Sequence, residues 1–171
     1  DWKVCLPRHS QAGGLMLSGL APSVPFNGDF PNVEGTSSFG SNTSATSHAV
    51  TMPSGVQIGD LLIMCFSAVG TGATHTTPSG WTLLFTAAAT PRRLSVFYKI
   101  ADGSEGATVT VTASVAGVCA AVTDRLSRST GNPENGTTAS GLNPPSVTPS
   151  WGALNNLFVV VLMNAVATTG A

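Results

Sequence analysis

From His48 onward, short apolar runs alternate with clusters of Gly, Pro, Asn and Ser, a spacing that predicts strands joined by turns. Leu61-Leu62-Ile63-Met64-Cys65-Phe66 is apolar at consecutive positions, which predicts a central strand covered on both faces. After the Pro78-Ser79-Gly80 turn, Trp81, Leu83 and Phe85 alternate with Thr82 and Thr86. Residues 93–100 alternate too, with Leu94, Val96, Tyr98 and Ile100 on one face and Arg93, Ser95, Phe97 and Lys99 on the other. A polar turn at residues 101–106 leads into Thr108-Val109-Thr110-Val111-Thr112-Ala113, the clearest period-two pattern in the chain. Its valines are expected inside and its threonines in water. Residues 118–126 and 156–164 predict two more strands, the last apolar on both faces and therefore interior.

Helical signals are nearly absent. Ala87-Ala88-Ala89 is the one helix-favouring run, and Thr90-Pro91 closes it after a turn. The expected fold is all-β, an antiparallel β-sandwich or jelly-roll-like domain with an irregular N-terminal arm. Its expected core is Leu61, Ile63, Trp81, Leu83, Phe85, Val96, Tyr98, Val109, Val111, Val122, Phe158 and Val160.

Three regions follow from composition. Residues 1–30 form the irregular arm, broken by Gly13-Gly14, Pro22, Pro25 and Asn27-Gly28. Residues 31–47 are a Ser/Thr/Gly-rich lead-in, extended or flexible. Residues 48–171 are the sandwich domain, whose last strand lacks a returning partner, as a truncated module would. The chain starts at Asp1 with no basic segment ahead of an apolar stretch, and reads as a fragment or a processed product. An open apolar edge and an arm without a core are expected to be covered by a neighbouring subunit or by further native sequence.

Charge narrows the function classes. Among 171 residues, charged side chains make up only 9%, against a usual level of about 25%. Seven Lys+Arg against eight Asp+Glu give a net charge of −1, which argues against a nucleic-acid binder. Hydroxyls fill the deficit, with 19 Ser and 21 Thr. Such a surface suits packing inside a larger assembly, because few charges must be desolvated. No apolar run approaches the roughly 20 residues of a membrane-spanning helix, so no membrane partner is expected.

Reactive chemistry is thin. His9, His48 and His75 sit in polar, loop-like contexts, and none is spaced from another ligand as a metal site requires. Cys65 and Cys119 read as small buried hydrophobes within strands, and with Cys5 they make an odd, widely spaced set without a disulfide framework. No basic neighbour activates either strand thiol. Asp102 and Glu105 read as a solvated hairpin turn that lacks the alternating oxygen ligands of a calcium loop. Asp60 is the polar residue at a strand start. No nucleophile elbow or nucleotide-binding glycine loop occurs, and Arg92-Arg93 is the one basic doublet. Asn42-Thr43-Ser44 and Asn135-Gly136-Thr137 match the glycosylation pattern, as chance readily produces in a hydroxyl-rich chain. The expectation is no catalytic residue, no cofactor and no metal.

The wording of the strands and turns resembles a β-sandwich module of tailed-bacteriophage virion structural proteins. The likeness runs from Met52-Pro53-Ser54-Gly55-Val56-Gln57-Ile58-Gly59-Asp60-Leu61-Leu62 through Thr77-Pro78-Ser79-Gly80-Trp81-Thr82 and Leu94-Ser95-Val96-Phe97-Tyr98-Lys99. It continues in Ala101-Asp102-Gly103-Ser104-Glu105-Gly106-Ala107-Thr108-Val109-Thr110-Val111 and resumes at Asn143-Pro144-Pro145-Ser146-Val147-Thr148-Pro149-Ser150-Trp151-Gly152. The resemblance implies a non-enzymatic protein of the particle surface, in a tail fibre or appendage or as a capsid decoration. Its implied partners are other virion proteins and copies of itself. The alternative is a carbohydrate-binding β-sandwich whose exposed Trp and Tyr stack on host-surface glycans.

Overall fold

The computed structural model describes residues 30–129, 131–136, 146–152 and 156–161. Six strands follow in chain order: β1 (Asn32–Thr51), β2 (Leu61–Val69), β3 (His75–Thr76), β4 (Thr82–Ala89), β5 (Arg92–Ile100) and β6 (Thr108–Ser127). No helix occurs among the described residues. All pairings are antiparallel and join the strands in one sheet of order β1-β6-β2-β5-β4, with β3 also on β6. The all-β antiparallel expectation therefore holds, with one sheet where a sandwich would have two.

That sheet is folded onto itself along β1 and β6. His48 pairs with Val111 and Phe66 pairs with Ala121, ten positions further along β6. A straight strand would separate those positions by about 33 Å. The His48 and Phe66 rings nevertheless lie 5.6 Å apart. Likewise, Ser37 Oγ donates to the Thr51 carbonyl at 2.6 Å, although both belong to β1. Register shifts in β1 between Ser41, Ala45 and Ser47 mark the fold on that strand. On β6 the turn passes Gly117, where a Cβ would stand 1.9 Å from the Val69 carbonyl oxygen. Only a residue without a side chain permits that approach. The two strands predicted at 108–113 and 118–126 are thus one long strand, bent where glycine allows it.

The fold puts the main core between the two halves of the sheet. Leu62, Met64, Phe66 and Ala68 of β2, with Phe97 of β5, meet Val50 and Val111 from the folded-over half. Trp81, Met52, Ala101, Cys119 and Ala121 complete this cluster. On the opposite face of β2 and β5, Leu61, Ile63, Leu94, Val96 and Leu126 form a second cluster, packed by Phe85, Tyr98, Leu157 and Val161. β2 is therefore apolar on both sides, as its unbroken run required. Val111 is buried and Val109 half-buried while Thr108 and Thr110 are exposed, so the register expected for that segment is the one found.

Several expectations need correction. The lead-in at 31–47, expected to be extended or flexible, is extended, since residues 32–47 belong to β1. Little of their own surface is buried, so the order comes from the β6 ladder and from side-chain links such as Thr36 Oγ1 to Asp124 Oδ1 at 2.6 Å. Leu83 is 42% exposed, because the bulge between Leu83 and Phe85 breaks the alternation and turns Leu84 and Phe85 to the second cluster instead. Phe97, expected on the polar face of its strand, is fully buried beside Ser95, since β5 is covered on both faces. Ala87-Ala88-Ala89 is the end of β4, and the turn at the cis Thr90-Pro91 bond joins it to β5. Residues 156–161 pair with no strand. Leu157 and Val161 pack on the second cluster while Phe158, Val159 and Val160 stay exposed, so Phe158 and Val160 are not core. The remainder of the strand expected at 156–164, and the arm through residue 29 with its leucines at 15, 17 and 20, lie outside the described residues.

Gly117→Ala should destabilise the protein by about 3 kcal/mol, since its Cβ must displace backbone. Gly40→Ala, where a Cβ meets nothing within 4 Å, should change stability by less than about 0.5 kcal/mol. Urea unfolding of the two variants checks this, and equal midpoints would contradict the bend.

Candidate functional site

The densest group of chemistry-bearing side chains lies in the seam between the two halves of the sheet. His48 continues the inward period of Val50 and Met52 and is 3% exposed. His75, on β3, stands where that short strand pairs with Thr112 and Ala113 of β6. Phe66 of β2 touches both imidazoles, His48 tilted at 5.6 Å and His75 edge-on at 4.8 Å. Cys119 Sγ is 3.0 Å from His48 Nδ1, and Ser95 Oγ is 2.9 Å from His75 Nδ1. Both histidines were expected in loops. The period-two spacing of His48, Val50 and Met52 is the signal that identifies the first as a core residue, and nothing comparable marks His75.

The seam is built to hold neutral groups. Burial raises the Cys119 thiol, so the sulfur keeps its proton where it lies against His48 Nδ1. Burial, with lesser contributions from Arg93 and His48, lowers His75 to about 4. The Nε2 atoms of both histidines are buried without a hydrogen-bond partner. A thiol beside an imidazole has the composition of a nucleophile and its base, but Cys119 is only 6% exposed and its thiolate is disfavoured. Cys65 faces the second cluster, and burial pushes it up to about 12. Both thiols are free.

The remaining polar groups satisfy one another. Glu105, expected in a solvated turn, has a side chain only 5% exposed. It accepts from Lys99 Nζ at 2.8 Å and from the amides of Asp102 and Gly103. Burial would raise its carboxyl, but Lys99 and those amides outweigh it and hold it low. Asp102 is held well below the usual range by Ser104, whose amide donates to Oδ1 at 2.9 Å. The turn thus spends its carboxylates on Lys99 and on its own backbone, with Gly103 at a positive φ of 87° closing it.

Asp60 does more than start a strand. Its Oδ2 accepts from the Gln57 amide at 2.8 Å and lies 3.7 Å from Arg125 Nε, while Arg125 Nη1 donates to the Gly55 carbonyl. These contacts fasten the β1–β2 loop to β6. Among the described residues, no three His, Cys, Asp or Glu side chains gather as a metal site would require. Cys5 and His9 lie outside the described residues.

Trp151 is an exposed aromatic of the C-terminal part, at 45%, with its Nε1 donating to Asn156 Oδ1 at 2.7 Å. Nearby in sequence, Asn135, Gly136, Ser146, Val147 and Thr148 line a cleft of about 340 Å³. Glu134 accepts from both the amide and the hydroxyl of Ser150 and ties the two walls together. Of the other aromatics that a glycan would stack on, Trp81 is buried and Tyr98 packs in the second cluster. Comparison with protein-family models, with curated proteins and with solved structures gives no match to this chain.

Thiol chemistry tests the seam. At about pH 8, a thiol with a pKa of about 12 is ionised about a thousandfold less than an ordinary one near 9. In a Cys5→Ser variant, neither Cys65 nor Cys119 should react with an aromatic disulfide reagent before unfolding, and both should react in denaturant. Stoichiometric labelling of the folded protein would contradict the arrangement.

Proposed function

We propose that this chain is a non-enzymatic structural protein of a tailed-phage particle. It acts by assembly and surface binding, in a tail fibre or appendage or as a capsid decoration. The observation that carries the proposal is the chemistry of the two sheet edges. Among the described residues, no strand pairs with the outer side of β1 or of β4. β4 holds no charged residue, and β1 holds Glu34 as its one acidic or basic side chain besides His48. Edges that must stay single are commonly guarded by Lys or Pro, and these carry neither. Their bulges twist the edge without charging it.

Exposed apolar residues add to this surface. Val33 and Ile100 lie on one cross-strand row with the buried Leu126 and Leu61, and Phe158 to Val160 lie over the same face. A low-charge surface of this kind gains by packing against protein, because little desolvation opposes it. The partners are other virion proteins and copies of the chain itself, and the location is the particle surface. The resemblance of the strand-and-turn wording to phage virion modules points the same way.

A carbohydrate-binding reading rests on Trp151 and on the cleft lined by Asn135, Gly136 and residues 146–148. An exposed indole held by Asn156 offers a flat apolar face of the type on which sugar rings stack.

Two measurements separate these readings. Peptides of this chain should appear in purified virions of the phage that encodes it, and antibody against it should decorate intact particles. Its absence from particles would contradict the structural role. On a glycan array the chain should give no signal that Trp151→Ala removes; a signal lost in that variant would favour the carbohydrate reading.

A further inference from the structure

The side-chain hydrogen bonds of the two seam histidines each join one half of the folded sheet to the other. His48 belongs to the folded-over half of β1, and its partner Cys119 to the half of β6 that pairs with β2. His75 is carried by β3, which pairs with the folded-over half of β6, and its partner Ser95 is on β5. Phe66, from β2, packs against both rings.

The groups facing this seam offer nothing to a cation. β1 presents His48, β3 His75, β5 Arg93 and Ser95, and β6 Cys119, with Phe66 of β2 against both rings. Arg93 is itself positive and already acts against a charge on His75. The described carboxylates are engaged elsewhere. Glu34 accepts from Ser127, Asp60 from the Gln57 amide, Asp124 from Thr36 and Glu134 from Ser150, while Asp102 and Glu105 hold Lys99. A proton added to His75 would leave an N–H at Nε2 without an acceptor in a buried place.

We propose that the His48–Phe66–His75 seam is a proton-operated latch. In mild acid it releases the folded-over layer (residues 48–51 of β1, all of β3 and residues 108–113 of β6) from the β2–β5 layer. The second half of β6 stays in the sheet, because its pairing with β2 and its packing in the second cluster contain no histidine. The latch is closed at neutral pH and reopens reversibly as protons bind.

The sign follows from His75. Its folded value, near 4, lies below the ordinary 6.5, so the opened form binds more protons throughout that interval. The closed form keeps its full advantage above 6.5 and loses it progressively as pH falls towards 4. Between about pH 7.5 and about pH 5, His75 alone raises the opening equilibrium about thirtyfold.

Hydrogen exchange of the full chain, corrected for intrinsic rates, tests the latch at those two pH values. Protection of amides 48–51 and 109–113 should fall about thirtyfold in acid while that of β2, β5 and residues 119–126 is retained. Unchanged protection, or an equal loss over the whole sheet, overturns the proposal. His75→Asn keeps a side chain that can bond Ser95 but does not titrate, and should blunt the response; a full response in that variant also overturns it. Should the variant fail to fold, the imidazole proton resonances of the wild type decide. One histidine should titrate near 4, and ordinary values for all of them would refute the latch.

Discussion

Where β6 passes the end of β2, the backbone at Gly117 comes so close to the Val69 carbonyl that a methyl group would stand 1.9 Å from its oxygen. That approach lets a twenty-residue strand turn back over the sheet it belongs to. β1 follows it through two register shifts, so the ladder between them persists on both sides of the fold. Bent strands of this kind build corners between sheet layers. Here the corner creates the main core, because Val50 and Val111 reach Phe66 and Phe97 only once the strands have turned. Burying a side chain as large as Phe66 contributes about 1.5–3 kcal/mol, so the corner and the core sustain each other.

The same corner determines where polar chemistry sits. It carries His48 and His75 into a seam with Cys119 and Ser95, away from water, and leaves the two long edges of the sheet outside. The His75 imidazole and the Cys119 thiol inside are held neutral, while the outer sides of β1 and β4 pair with no strand among the described residues. Such a division favours a protein that works through surfaces. It also places His75, whose imidazole burial lowers, at the joint between the two halves of the sheet.

The strands with strong apolar patterns were legible in the sequence. The run 61–66 is buried on both faces, and the valines at 109 and 111 point inward as period-two alternation requires. What was not legible depends on tertiary pairing. β1 has almost no hydrophobic pattern because β6 supplies its order, so hydroxyl-rich composition left both an extended and a flexible lead-in open. Residues 108–113 and 118–126 read as two strands, whereas they are one strand that bends at Gly117. The bulge that exposes Leu83 and the unpaired course of residues 156–161 are likewise decided by neighbours. Of the seam, Cys119 was expected in an apolar strand. The histidines were read as polar loop residues because a single polar residue in alternation is a weak mark of burial.

The folded sheet itself is tested most directly by nuclear Overhauser contacts from the Phe66 ring in a labelled full-length chain at neutral pH. The bend predicts contacts from that ring to the imidazole protons of both His48 and His75, together with intact cross-strand contacts between β2 and β6. Retained β2–β6 contacts with Phe66 near neither histidine would mean that β6 runs straight, and would contradict the account.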